Sequence, residues 1–241
     1  MIIYGINPVL EALRTGRVRR VRVGPRGDRR VEEALTLARA KGIGIERVDA
    51  AAIEQAARGG VHQGIVAELD APRDYSLQEL VDAAAPAAPL LVVLDGIEDP
   101  HNVGAILRTA DAAGAHGVVR QARHAAPLDG VVAKASAGAV AHVRIATEVN
   151  IARALDALKA LNVWVVGLAG DAPERYDAVD LTLPTALVFG AEGTGLRRLV
   201  RERCDRLAAI PLYGAVDSLN VSVAAGVLLF EAARQRKVPK S

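Results

Sequence analysis

From residue 90 onward the chain carries short, nearly continuous apolar runs separated by helix-length segments. Leu90-Leu91-Val92-Val93-Leu94, Gly117-Val118-Val119, Val163 to Leu168, Ala186-Leu187-Val188-Phe189 and Ala208-Ala209-Ile210 do not alternate with polar residues. Strands built from them must be covered on both faces, which is the condition of a parallel sheet. The pattern therefore predicts an α/β fold with a mostly parallel sheet and helices at about 103–114, 128–139, 150–161, 195–202 and 217–236.

The first 70 residues read as a separate small α/β unit, with a helix at 9–13, a strand at 18–23, a helix at 31–40 and a strand at 43–48. Residues 71–88, with Pro72, Pro86 and a run of alanines, read as a linker holding one short helix over 76–84. The expected organisation is thus a first domain over 1–70, a linker over 71–88 and a second domain over 89–241.

Composition narrows the class. Hydrophobic residues make up 51% and charged residues 24% of 241, which excludes wholesale disorder, and the net charge of +2 does not mark a polyanion binder. The distribution of charge says more. Eight arginines and a single acid, Asp28, lie between residues 14 and 30, and Arg197, Arg198, Arg201, Arg203 and Arg206 form a second cluster. A solvated face explains many charge runs, but the planar guanidinium pairs with phosphate oxygens through two parallel bonds. Arg17, Arg19, Arg20, Arg22 and Arg197 are accordingly candidate phosphate contacts. The seven aromatics are scattered, which argues against a stacking platform for single-stranded bases.

Other chemistries drop out. The lone Cys204 forbids an internal disulfide and a cysteine-based zinc site, and no two of the five histidines stand at ligand spacing, so no metal is expected. There is no G-x-S-x-G elbow. The N-terminus lacks the basic and apolar regions of a signal peptide, so a cytoplasmic protein is expected. Leu207 to Phe230 carries only one charge, but Pro211, Gly214, Ser218, Asn220 and Ser222 interrupt it, and it reads as strand, loop and helix.

Three segments at predicted strand ends, where open α/β sheets collect ligands, carry polar residues and glycines that packing does not require. Asp95 to Ala110 contains Asn102, a natural helix cap, and Arg108. Phe189-Gly190-Ala191-Glu192-Gly193-Thr194-Gly195 matches neither G-x-G-x-x-G nor a P-loop. Its Glu192 would repel phosphates and suits a cationic or hydroxyl-bearing partner. Ile210 to Ala224 holds Asn220 and Ser222 just inside an otherwise apolar helix, with Ser218 or Asp217 as its expected cap.

Taken together, Asp99-Pro100-His101-Asn102-Val103-Gly104 through Arg108, the 189–195 segment, and Ile210-Pro211 through Ser218-Leu219-Asn220-Val221-Ser222 resemble the three motifs of the SpoU (TrmH-type) branch of the SPOUT RNA 2′-O-ribose methyltransferases. The opening Tyr4 to Leu13 is similar to the RNA-binding domain of the subgroup that modifies a guanosine of 23S rRNA.

The resemblance implies a deep trefoil knot in the second domain, S-adenosylmethionine bound within it, a homodimer, and 2′-O-methylation of large-subunit rRNA or a precursor particle. By position, Gly190, Ile210 and Leu219 correspond to cofactor contacts, and Arg108, Asn102, Glu192, Ser218 and Asn220 to the catalytic group. Family analogy gives Arg108 the ribose proton, but a guanidinium with a pKa above ~12 equally suits gripping a phosphate and stabilising an alkoxide. Asp217 stands where relatives carry a small polar residue, which bears on RNA choice and not on the reaction. A tRNA or resistance-type rRNA target within the family and a non-catalytic assembly factor are the competing readings. The glycine spacing disfavours a third, a nucleotide-dependent oxidoreductase.

Overall fold

The structure, a computed structural model, describes residues 2–25, 29–70, 73–128 and 130–237. Arg26 and Asp28 of the basic run, Ala71 and Pro72 at the start of the expected linker, and Asp129 within the helix expected at 128–139 lie outside them. In chain order the elements are β1 (Ile2–Tyr4), α1 (Ile6–Thr15), β2 (Val18–Val23), α2 (Arg29–Ala40), β3 (Gly44–Arg47), α3 (Ala50–Ala57), β4 (Ile65–Leu69), α4 (Leu77–Asp82) and β5 (Leu90–Asp95). They continue with α5 (Pro100–Ala113), β6 (Gly117–Gln121), α6 (Gly130–Ala135), β7 (Ile145–Glu148), α7 (Ile151–Ala160) and β8 (Trp164–Leu168). Last come β9 (Glu174–Arg175), β10 (Thr185–Gly190), α8 (Arg198–Arg203), β11 (Arg206–Ala209) and α9 (Val221–Arg236).

Contacts group the chain into two compact units: residues 1–72 with 103–108 and 126–142, and residues 73–102 with 109–125 and 143–241. The first unit holds a four-stranded sheet in the order β1-β4-β2-β3, with β2 and β3 parallel and β4 antiparallel to both β1 and β2. Strand β2 buries Val18, Val21 and Val23 and sends its arginines outward, as half-buried strands do. Pro8 is tolerated in the first turn of α1, so that helix runs well beyond the expected 9–13 to a left-handed Gly16. Helix α6 packs on β1 so closely that a Cβ at Gly130 would lie 2.1 Å from the Tyr4 ring. The helix expected over 128–139 is broken after Ala135, because Ala137 and Gly138 take positive φ, and the chain resumes as a 3₁₀ turn at Ala139–Ala141.

The second unit holds a seven-stranded sheet in the order β7-β6-β5-β10-β8-β11-β9, every pair parallel. The central β5 is buried along its whole length, which is what its unbroken apolar run requires. Leu91, Val93, Val165, Ala186 and Val188 form one core with Leu155 and Leu158 of α7 and Leu80 of α4. Ser76 caps α4 through a reciprocal capping box with Glu79. Arg236 closes the C-terminal end of α9, donating to the carbonyls of Ala88, Pro89, Leu181 and Leu183 at 2.6–3.1 Å. Among the described residues no helix is long and apolar enough to cross a membrane.

Candidate active site

The site begins with two helix caps, neither of which is the residue expected from sequence. Asp99, not Asn102, caps α5: its carboxylate accepts from His101 N at 3.2 Å and Asn102 N at 3.1 Å, with Pro100 in the first turn. Asn220, not Ser218 or Asp217, caps α9: its Oδ1 accepts from Ser222 N at 2.9 Å and Ser222 Oγ at 2.6 Å. Those two caps decide what the remaining amides can do. With its oxygen occupied, Asn220 turns its Nδ2 to Asn102 Oδ1 at 2.9 Å, and Asn102 in turn donates through Nδ2 to Glu192 Oε2 at 3.3 Å. Three of the residues expected to share a site, each from a different sequence motif, thus form one directional chain.

Glu192 stands in a tight turn after β10. Gly195 N donates to Ala191 O at 2.8 Å, and a Cβ at Gly190 would lie 2.1 Å from the Gly195 carbonyl carbon. Gly195 adopts φ +67°, open to glycine at little cost.

This turn is a wall between two clefts. The first, of about 550 Å³, is enclosed by the loops after β8, β10 and β11, with Leu168, Phe189, Gly190, Ile210 and Leu219 among its walls. Its size suits a ligand of a few hundred daltons. The walls combine apolar side chains with backbone at three strand ends, a fit for a nucleoside-bearing cofactor such as S-adenosylmethionine. Gly190, Ile210 and Leu219 all line it, and so does Ser218. Asp171 and Arg201, paired at 2.8 and 3.0 Å, line it as well. Arg201 is one of the second arginine cluster, whereas Asp171 carries no motif, although the strand-end rule that flags 190–195 applies equally to its loop after β8.

The second cleft, of about 490 Å³, lies at the ends of β5 and β6 and shares Ala191, Glu192, Thr194 and Gly195 with the first. At its floor the fully buried Asp95 accepts from Arg197 N at 2.8 Å and Arg197 Nε at 2.6 Å. Arg197 is thereby held as the clamp of the 190–197 loop.

The remaining candidates are arginines. Arg108 is exposed and follows Asn102 by six helical residues, which sets the two about 9 Å apart along the axis and about 120° apart around it. Arg19 is exposed; Arg20 and Arg22 reach Glu46 at 3.4 and 3.3 Å, and Arg17 donates to Ala141 O at 3.1 Å. Burial pushes the Cys204 thiol up to about 12, so it is un-ionised at neutral pH. Among the described residues no group of acids, histidines and cysteine is placed to hold a metal.

The strand ends of this parallel α/β sheet carry two adjoining clefts, the first large enough for a nucleoside cofactor. Residues 89–230 match the model of the SpoU rRNA Methylase family and residues 2–75 that of the RNA 2′-O ribose methyltransferase substrate-binding domain. The chain belongs to the SpoU rRNA methylase family. It is 44% identical to a 23S rRNA (guanosine-2′-O-)-methyltransferase, RlmB, of Photorhabdus laumondii, over 98% of both chains. Its fold is similar to that of the SpoU methyltransferase AviRb of Streptomyces viridochromogenes, crystallised with the cofactor AdoMet (TM-score 0.82, 27% identity, 98% of this chain and 90% of that one). It is similar also to an AdoMet-bound rRNA methyltransferase from Sinorhizobium meliloti (TM-score 0.79, 29% identity, 97% and 86%).

Proposed function

We propose that this chain transfers a methyl group from S-adenosylmethionine to the ribose 2′-oxygen of a guanosine in 23S rRNA. The observation that carries this reading is the shared wall: one turn, bearing Glu192, borders both a cofactor-sized cleft and the cleft at the ends of β5 and β6. When bound in the first cleft, the cofactor supplies an electrophilic methyl on a sulfonium. Gly190, Ile210 and Leu219 would hold it, largely through backbone groups.

The chain's own contribution is alignment, and a near-attack geometry supplies roughly 7–11 kcal/mol of a barrier. Asn220 and Asn102 fix the orientation of Glu192. Its carboxyl oxygens are hydrogen-bond acceptors, which suits a hydroxyl donor. The planar, multi-donor guanidinium of Arg108 suits gripping the neighbouring phosphate and stabilising the developing oxyanion. Helix geometry turns it away from Asn102, which fits a site completed by a second copy. Helix α9 points the same way: Val223 and Phe230 are exposed on a helix that also buries Leu228 and Leu229, and a homodimer would cover that outer face.

The first unit, with its outward arginines on β2, is the part we assign to holding RNA by phosphate and shape. Matches to rRNA-modifying relatives along 98% of the chain favour rRNA over tRNA, free or in a precursor particle, and a substrate of that kind supports a cytoplasmic enzyme. The test is Arg108→Ala: methyl transfer to rRNA falls at least a hundredfold while cofactor affinity, measured by equilibrium dialysis, stays within threefold. Unchanged turnover would remove Arg108 from the mechanism.

A further inference from the structure

The second cleft contains a polar group that the chain itself leaves without a partner. Gln121, at the end of β6, lines this cleft and is only 9% exposed, and among the described residues its Oε1 is the buried side-chain atom with no hydrogen bond. A buried acceptor with nothing to accept carries a desolvation penalty, which a donor arriving in the cleft would relieve.

The other side chains around it define that donor. Glu98 and Glu192 are acceptors, Asp99 is committed to capping α5, and His124 lies 3.7 Å from Glu98. Arg197, which also lines the cleft, is spent on Asp95, and the remaining carboxylates repel phosphate. They favour a neutral group with several N–H donors side by side. Among the four bases of RNA only guanine presents this on one edge, with N1–H beside the 2-amino group.

We propose that this cleft receives the base of the target guanosine, turned out of its stack, and that Gln121 accepts a hydrogen bond from its 2-amino edge. Enzymes acting on a nucleotide read an extruded base in this way. The inference rests on the methyl-transfer reading, since the base would sit in one cleft and its ribose beside Glu192, on the wall shared with the other. Gln121 is then the residue that selects guanosine. It takes no part in the bond-making step.

The test uses inosine, which lacks only the 2-amino group. Equilibrium dialysis of the full chain without methyl donor compares guanosine 5′-monophosphate with inosine 5′-monophosphate, and kcat/KM is measured on unmodified rRNA fragments carrying guanosine or inosine at the mapped position. The wild type is expected to prefer guanosine by about tenfold, the worth of one hydrogen bond. In Gln121→Leu the preference falls to near unity, and in Gln121→Glu, which keeps the acceptor and reports that the site still folds, it persists. Equal treatment of the two bases by the wild type, or an undiminished preference in Gln121→Leu, overturns the proposal. Methylation of rRNA without any such preference would remove the base site and leave methyl transfer standing. A mononucleotide preference that depends on Gln121, in a chain that methylates no RNA, would do the reverse.

Discussion

Asn220 Nδ2 donates to Asn102 Oδ1 at 2.9 Å, joining residues 118 positions apart in the chain. The bond is possible because the oxygen of Asn220 already caps α9, and its consequence is that Asn102 presents its own Nδ2 to Glu192.

Substitution at residue 220 separates the cap from the site. Asn220→Asp keeps a good cap but loses the bond to Asn102 and sets a carboxylate against its carbonyl oxygen, so stability is expected to fall by about 1 kcal/mol while methyl transfer falls at least tenfold. Asn220→Ala loses both, with a stability cost of about 2 kcal/mol. Thermal unfolding and turnover measured on the same preparations check this. An Asp variant that is fully active would break the link between the amide chain and the reaction.

Arg197 is the counterpart of the buried Asp95. Arg197→Ala removes the cation opposite that carboxylate and leaves it the main-chain bond from residue 197, at a cost of about 2–3 kcal/mol, below the figure for fully buried pairs because half of the Arg197 side chain is open to water. Denaturant unfolding is expected to register this loss more strongly than RNA affinity. A variant of normal stability with weakened RNA binding would return Arg197 to the phosphate contacts.

Arg236 ties the C-terminal turn of α9 to four carbonyl groups. A lysine has the charge but not the planar fork, so Arg236→Lys is expected to destabilise by about 2 kcal/mol and not to restore what Arg236→Ala loses. Melting of the two variants side by side decides the point.

His116 makes stability depend on pH. Burial lowers its pKa below 6.5, and its Nδ1 accepts from Leu90 N at 3.0 Å, a bond that only the neutral ring makes. Between the depressed folded value and 6.5 the unfolded chain binds more protons than the folded one, so stability rises with pH through this window and falls as the solution is acidified. The denaturation midpoint should therefore drop on acidification below about 6.5, and His116→Gln should flatten that slope. An unchanged slope would exclude His116 as its source.

Much of the second unit was legible because its central strands are buried on both faces, and β5, β6, β8 and β10 announce themselves as apolar runs, as does the partly buried β11. Elements without that signature were not. Strand β1 has three residues, β7 is a four-residue strand buried only at its first half, and the alanine-rich α3 carries little pattern beyond its cap at Asp49. The motif residues could be named from sequence, but not their joining. That Asn102 gives up the cap to Asp99, and that Asn220 takes it from Ser218, are choices made by backbone geometry. Gln121 had no sequence signal: a glutamine closing a strand is ordinary until the cleft around it is seen.

The most direct test of methyl transfer to large-subunit RNA is to incubate the protein and labelled S-adenosylmethionine with unmodified total rRNA and tRNA, and to map the product by resistance to alkaline cleavage. One 2′-O-methylated guanosine in 23S rRNA is the expected result. A mark confined to tRNA, or none on free rRNA or on precursor ribosomal particles, would contradict it.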